Sequence, residues 1–374
     1  LKMFKIDEII KGKERGILPY QVIFFDINAQ EVLLPSDLMN TDEYALYYLQ
    51  KPGSFAIDVK NTKIHESKWL QKADLQQNTQ LEHSCVGGGT FRTRVLDETF
   101  DSIFLEFETG ARWKVYKRPF WREFVSFPLK GRDNLDGFSL SNAVDADKFK
   151  GVEDRICFFK SLGYLVSAEI SGFFSGVWYH LMPFEELLSR MVLDKGFIKE
   201  VIKIWAEFNL MMAEHYLELG VDQIVLCDDL GTGKGLFISP KLYEELLFPW
   251  HQKLACLCHK YKAFCHLHSH GNINDILPLI AAAGIDILNP VDLREGMDVE
   301  ELLRECEKMS FYVSLQGLIG DDWSFSSVEK ILKKMRSLQN EYGRMLLRID
   351  LISEDTDKQS FTDLMELARK YCWG

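Results

Sequence analysis

Three histidines stand at alternate positions in Cys265-His266-Leu267-His268-Ser269-His270-Gly271-Asn272. The apolar residues before them and the glycine after them predict a β-strand that ends in a turn into a helix. In extended backbone, alternate side chains leave the same side, so the three imidazoles share a face. Three imidazoles are costly to bury for packing alone. They call for a metal, an anionic substrate or proton-transfer chemistry. Alternate positions differ in depth by about 6–7 Å along a strand, which makes His266 the deepest and a structural residue. His268 and His270 share one metal if the chain bends after His268, and Gly271 permits that bend. Zinc suits imidazole joined by carboxylate or thiolate.

A zinc site needs a third protein ligand. Asp228 and Asp229 end the preceding predicted strand, Glu169 ends an earlier one, and Asp350 ends the last. Any of these carboxylates would complete a His-His-carboxylate set, or serve as the base. Asp228 or Asp229 would equally cap the turn into Leu230-Gly231. Asn289 and Gln316, at two further strand ends, are candidates to hydrogen-bond a substrate. Trp178 and His180 lie in an aromatic-rich loop after Glu169, a natural pocket wall or lid. The run Arg112 to Arg122 is basic and laced with aromatics, which fits a surface hairpin or the gathering of an anion.

The elements that position these groups follow from periodicity. From about residue 150 strand and helix alternate with short connections, which predicts βα units and a parallel sheet. Six strands are visible after residue 160: 164–169, 223–227, 263–268, 285–288, 311–315 and 345–349. Asn289-Pro290 is read as stopping the fourth. Two more strands from residues 20–110 would close an eight-stranded barrel. A doubly wound sheet is the rival, but the glycine-rich dinucleotide loop it normally carries is missing. Polar residues at nearly every strand end favour a barrel, whose strand ends converge on one mouth. Residues 1–100 read as an N-terminal elaboration with antiparallel character that contributes partly to the barrel, and 101–374 as the barrel itself. Ser239-Pro240 opens a helix that runs to about His259 with a kink at Pro249.

The chain has 374 residues, 47% of them hydrophobic, and a net charge of −12. That charge argues against a nucleic-acid binder working by phosphate neutralisation. The eight cysteines are scattered with no CxxC pair, which fits a reducing cytoplasm. No run reaches transmembrane length, and residues 1–17 lack an apolar signal core.

Five strings recur in a familiar order. They are Asp228-Asp229-Leu230-Gly231-Thr232, Gly235-Leu236-Phe237-Ile238-Ser239-Pro240, His268-Ser269-His270-Gly271-Asn272, Gly284-Ile285-Asp286-Ile287-Leu288-Asn289-Pro290 and Gly296-Met297-Asp298. In order and spacing, over roughly residues 100–374, they resemble the uroporphyrinogen decarboxylase-like superfamily. The resemblance implies a (β/α)8 TIM barrel. In motif the chain is most similar to the corrinoid- and coenzyme M-type methyltransferases. There a His-x-Cys-Gly segment binds zinc, with a further ligand from near the last strand. Here His268 matches the histidine, Gly271 matches the glycine, and His270 stands in the place of the cysteine. The last strand offers Asp350 instead of a Gly-Cys-Gly segment, so the implied metal set is His268, His270 and Asp228 or Asp350. Residues 1–50 carry no copy of the arginine-rich segment with which the decarboxylases hold substrate carboxylates.

The resemblance implies a methyltransferase-like enzyme, zinc-dependent, moving a methyl group between a small molecule and a corrinoid carried by a partner protein. Its catalytic groups would be Asp229, Glu169 and His268. The alternatives are decarboxylation of a tetrapyrrole or another aromatic acid, and a non-catalytic barrel that binds a corrinoid or tetrapyrrole.

Overall fold

The structure is a computed structural model. It describes residues 6–13, 15–18, 20–24, 56–58, 91, 93–117, 120–140, 142–149, 152–161, 165–315, 324–352 and 358–373. The chain lays down β1 (Tyr20–Phe24) and β2 (Ala56–Asp58). An antiparallel meander follows: β3 (Thr93–Glu98), β4 (Ser102–Phe107), β5 (Arg112–Lys117) and β6 (Phe120–Ser126). Then come β7 (Leu165–Ser171), β8 (Gln223–Cys227), a small hairpin of β9 (Gly231–Thr232) and β10 (Gly235–Leu236), and β11 (Phe264–His268). The series ends with β12 (Ile287–Val291), β13 (Ser310–Ser314) and β14 (Met345–Ile352).

Eight of these strands form one parallel sheet in the order β1-β14-β13-β12-β11-β8-β7-β2. Read round a circle, that is sequence order with the meander inserted between β2 and β7. It is the strand order of a (β/α)8 barrel whose β1–β2 pairing is not hydrogen-bonded among the described residues. The meander β3-β4-β5-β6 is a separate sheet that runs across residue 100. No helix among the described residues is long and apolar enough to cross a membrane.

The helices that return the chain between strands bury one face each. Lys195–Glu218, between β7 and β8, buries Val201, Trp205, Phe208, Met212 and Tyr216 at helical spacing. Asp194 caps it by accepting the Phe197 N–H. Ser239 caps the next helix, Pro240–Leu246, by accepting from the Leu242 N–H. The kink expected at Pro249 is realised earlier, as a break at Leu247 before a second helix, Phe248–Lys260. Pro249 sits in the first turn of that helix, where its missing N–H costs nothing. β12 likewise runs through Asn289-Pro290 instead of stopping there. Its register to β13 shifts between Leu288 and Val291, and that irregularity accommodates a proline inside a strand.

Register fixes what faces the barrel axis. Glu169, Val225, His266, Ile287 and Ser310 align as one layer across β7, β8, β11, β12 and β13. The layer above holds Ser171, Cys227, His268 and Asn289. On the closing side Tyr312 pairs with Leu346 and Ser314 with Arg348. The lower interior is sealed by a small apolar cluster of Ile10, Leu165, Ile287, Tyr312 and Leu346.

Candidate active site at the barrel mouth

β11 delivers its histidines at different depths, as strand geometry requires. His266 is buried, with Nδ1 2.9 Å from Gln223 Nε2 and its ring 4.7 Å from that of Tyr312, edge-on. Burial holds its pKa well below the ordinary histidine value, followed by the effects of His268 and Arg348. It is therefore a neutral residue of the barrel interior, one layer beneath the mouth.

His268 is held differently. Its Nδ1 lies 2.5 Å from Asn289 Oδ1, and Arg348 Nη1 donates to the same oxygen at 2.7 Å. A guanidinium only donates, so the Asn289 atom between them is the carbonyl oxygen. The His268 Nδ1 must then carry the proton, which leaves an electron pair on Nε2. Burial, and then the neighbouring His270, lower the His268 pKa to about 4. The imidazole is neutral at pH 7 with one nitrogen ready to accept a proton or a metal. A histidine whose other nitrogen is fixed by a carbonyl is the usual second-sphere arrangement of metal-binding imidazoles.

The chain bends after His268, as Gly271 permits. Gly271 has φ +94, and a Cβ there would lie 2.2 Å from the carbonyl carbon of Gly231. Only glycine lets the loop pass so close to the β9–β10 hairpin. Ser269 Oγ accepts the Leu230 N–H at 3.0 Å, and the Asn272 N–H donates to Thr232 O at 2.8 Å. The bend brings the His270 ring to 4.9 Å from that of His268, at 81°. The His270 N–H donates to Asp229 Oδ1 at 2.8 Å, and its Nδ1 lies 3.4 Å from Glu295 Oε1. Glu295 Oε2 also accepts the Gly271 N–H at 3.0 Å. Burial pulls the His270 pKa down, but Glu295 and Asp229 outweigh it and hold the value above the ordinary one. The two imidazoles thus differ in charge preference: His268 is kept neutral and His270 is kept basic.

The adjacent aspartates part company. Asp228 is fully buried, and its oxygens accept the N–H groups of Phe173 (3.0 Å), Phe174 (3.0 Å) and Ser175 (2.7 Å). His251 Nε2 lies 3.2 Å away, with Tyr243 behind it at 2.8 Å. Asp228 therefore anchors the loop after β7, with its oxygens engaged by three backbone N–H groups and His251. Gly172 makes room for it, since a Cβ there would meet Asp228 Oδ1 at 2.4 Å. Asp229 faces the other way and joins the His270 loop.

The other candidates divide in the same manner. Asn289 is at the site, but its oxygen is committed to His268 and Arg348. Glu169 lies half-buried in the His266 layer, one layer below His268. Trp178 and His180 belong to the helix Ser175–His180, beside the meander. His180, expected as a substrate contact, is 1% exposed and ringed by Phe91, Phe107, Trp113 and Trp205. Gln316 lies outside the described residues, and Asp350 is on β14 with its side chain outside them. Sequence reasoning missed Arg348 and Glu295. Arg348 had a signal, because it sits two residues before Asp350 on the same strand face. Glu295 had none, since only the folded loop after β12 brings it to His270.

Among the described residues no group of three or more His, Cys, Asp or Glu side chains is placed to hold a metal ion. His268 and His270 fit two positions of a zinc site by donor type and by the bare Nε2 of His268. No described cysteine joins them: Cys258 and Cys265 are fully buried and share a hydrogen bond with each other.

Residues 169–344, which hold all of this cluster except Arg348, match the uroporphyrinogen decarboxylase (URO-D) family. No curated protein matches the chain. Among solved structures, a methyltransferase from Methanosarcina mazei is 14% identical, covers 98% of this chain and 97% of its own, and superposes with a TM-score of 0.58. A B12-independent methionine synthase from Shewanella sp. W3-18-1 is 10% identical over 58% of this chain and 65% of its own, with a TM-score of 0.41. At such identities the first likeness shows the fold, and the second adds nothing to it. Residues 169–344 are thus similar to the uroporphyrinogen decarboxylase family, and the full-length likeness to the Methanosarcina mazei methyltransferase shows a shared fold.

Proposed function

We propose that the protein is an enzyme of the methyltransferase type, acting on a small molecule at the barrel mouth, with zinc held by His268 and His270 and the methyl group exchanged with a corrinoid on a partner protein. One observation carries the reading: Asn289 and Arg348 together fix the His268 tautomer that leaves Nε2 bare. Zinc, when bound, would lower the pKa of the acceptor's thiol or hydroxyl and present it for transfer. The chain's own groups have separate tasks. His268 and His270 are ligands, and Asp350 would supply the third. Glu295 orients His270 through Nδ1 and holds the bend through the Gly271 N–H. Asp229, which accepts the His270 backbone N–H and whose charge raises the pKa of both imidazoles, would take the acceptor's proton.

A second reading has the family match on its side. In decarboxylation of a tetrapyrrole or another aromatic acid, Asp229 would stabilise the protonated ring that forms as carbon dioxide leaves. Metal analysis separates the two. Protein purified without a histidine tag should carry about one zinc per chain, lost in His268→Ala and His270→Ala. Zinc-free protein with an intact fold overturns the first reading, and carbon dioxide release from a porphyrinogen selects the second.

A further inference from the structure

The helix Leu277–Ala283, which follows β11, packs against Phe248–Lys260 on one side. Between it and the next helix, Val299–Glu305, the outer wall of the barrel opens into a groove of about 780 Å³, ample for a small organic molecule. Leu277, Ile285, Leu302 and Met309 form the base of the groove, and Pro278 and Ala281 its apolar side. None of the groups that hold His268 or His270 lines it.

The opposite side is acidic. Asp298 caps the helix Val299–Glu305, Glu301 and Glu305 follow on the groove side, and Glu307 lies just beyond. Residues four apart on a helix share a face and are separated by about 6 Å along its axis, so Glu301 and Glu305 form two rungs of one edge. Elsewhere on the surface carboxylates are met by lysines. Glu300, on the same helix, has Lys334 at 3.4 Å, and Glu245 has Lys195 at 2.7 Å and Lys199 at 2.9 Å. Among the described residues Glu301 and Glu307 make no such ion pair, and Glu305 has Arg304 alone, at 3.9 Å. Asp298 spends one oxygen on the Glu300 and Glu301 N–H groups. The cations of the lining are His259, already 3.0 Å from Asp286, and the exposed Lys308. The groove is thus apolar along one side and carries uncompensated negative charge along the other.

We propose that this groove binds a linear aliphatic polyamine, its methylenes against Leu277, Ala281 and Leu302 and successive ammonium groups at Glu301 and Glu305. A hydrocarbon chain with charges spaced along it matches an apolar side that faces a charged one, as lysine stems do on apolar surface. A metal ion would leave the apolar side unused, and a neutral ligand would leave the carboxylates unpaired. The site goes beyond the methyl-transfer reading and does not rest on it, because it shares no residue with the His268 cluster.

Titration of spermidine into the protein by isothermal calorimetry tests it, with n-butylamine and magnesium ion as counterparts that lack the spaced charges or the hydrocarbon. Spermidine should bind at one site per chain, at least about tenfold tighter than either counterpart, and more weakly as salt is raised. The double variant Glu301→Gln with Glu305→Gln should weaken spermidine by about tenfold. Ala281→Lys, which sets a competing ammonium on the apolar side, should weaken it as well, while His268→Gln should leave binding unchanged. All three groove positions are exposed, and thermal melts establish that each variant keeps its fold. Binding of n-butylamine or magnesium ion as tight as that of spermidine would reduce the groove to an acidic surface and overturns the proposal. So does unchanged affinity in the double variant, or loss of binding in His268→Gln, which would move the probe to the barrel mouth.

Discussion

His268 and His180 are both neutral because burial disfavours their charged forms, and they could hardly be used more differently. Burial pushes His180 down to about 3, with Arg122 adding to the effect. Its ring stacks on Trp113 at 5.1 Å and on Trp205 at 5.5 Å, and both its nitrogens are buried without a partner among the described residues. His268 loses its charge too, but its Nδ1 is engaged by Asn289 and its Nε2 lies at a polar mouth. A depressed pKa therefore does not mark a reactive histidine. What separates the two is the partner on one nitrogen and the opening in front of the other.

The largest expected effect breaks that pairing directly. His268→Gln should weaken zinc binding by at least about 100-fold, as loss of a ligand must exceed loss of a supporting residue. His180→Phe should leave zinc content unchanged. Zinc retained in the first variant and lost in the second would invert the comparison.

Asp228 and Asp229 sharpen it at the level of neighbouring carboxylates. Asp228→Ala strands the buried N–H groups of Phe173, Phe174 and Ser175 and should cost about 3–5 kcal/mol in urea unfolding. Asp229→Asn, which keeps an acceptor for the His270 N–H, should change stability by less than about 1 kcal/mol. Similar losses for both would show that Asp228 is not the anchor of the β7 loop.

Asn289→Leu keeps the shape and removes the oxygen that fixes the His268 tautomer. Zinc affinity should fall by about 10–100-fold, with His268 still present. Unchanged affinity would detach Asn289 and Arg348 from the site's chemistry.

The smallest effect is read from stability against pH. The unfolded chain binds a proton at His180 below its ordinary value of 6.5, whereas the folded chain does so only near 3. The contribution of His180 is thus fully present above about pH 6.5 and is lost as pH falls, by about 1.4 kcal/mol per unit, until about pH 3. His266, also held well below its ordinary value, adds a loss of the same sign. His180→Phe should make the acid limb of the unfolding profile shallower by about one such slope. An identical limb in both proteins would mean that His180 charges without unfolding.

Much of the barrel could be read before any coordinate. The helix Phe325–Tyr342 and the strand Gln223–Cys227 have the bounds that periodicity and glycine stops assign them. Period-2 alternation also put His266 beneath His268. Strand ends were less legible where tertiary pairing outweighs local signals, as where β12 runs on through Pro290 and β14 extends to Ile352. The aromatic loop showed the limit of residue type as a guide. Trp178 and His180 have identical claims as ligand contacts in sequence, yet one lines a cavity and the other is sealed among four rings.

The sequence alone determined the barrel, the alternation of its strand faces and the choice of β11 as the strand that carries imidazoles to the mouth. These are local properties, set by period, by glycine and by the order of the elements. Tertiary structure decided which neighbour each polar atom meets. It turned Asp228 toward the backbone of the β7 loop and Asp229 toward His270, and it brought Arg348 and Asn289 from two other strands onto one nitrogen of His268. Hydrogen-bond partners so far apart in the chain meet only once the parallel sheet has formed, and it is those partners that fix protonation at the mouth.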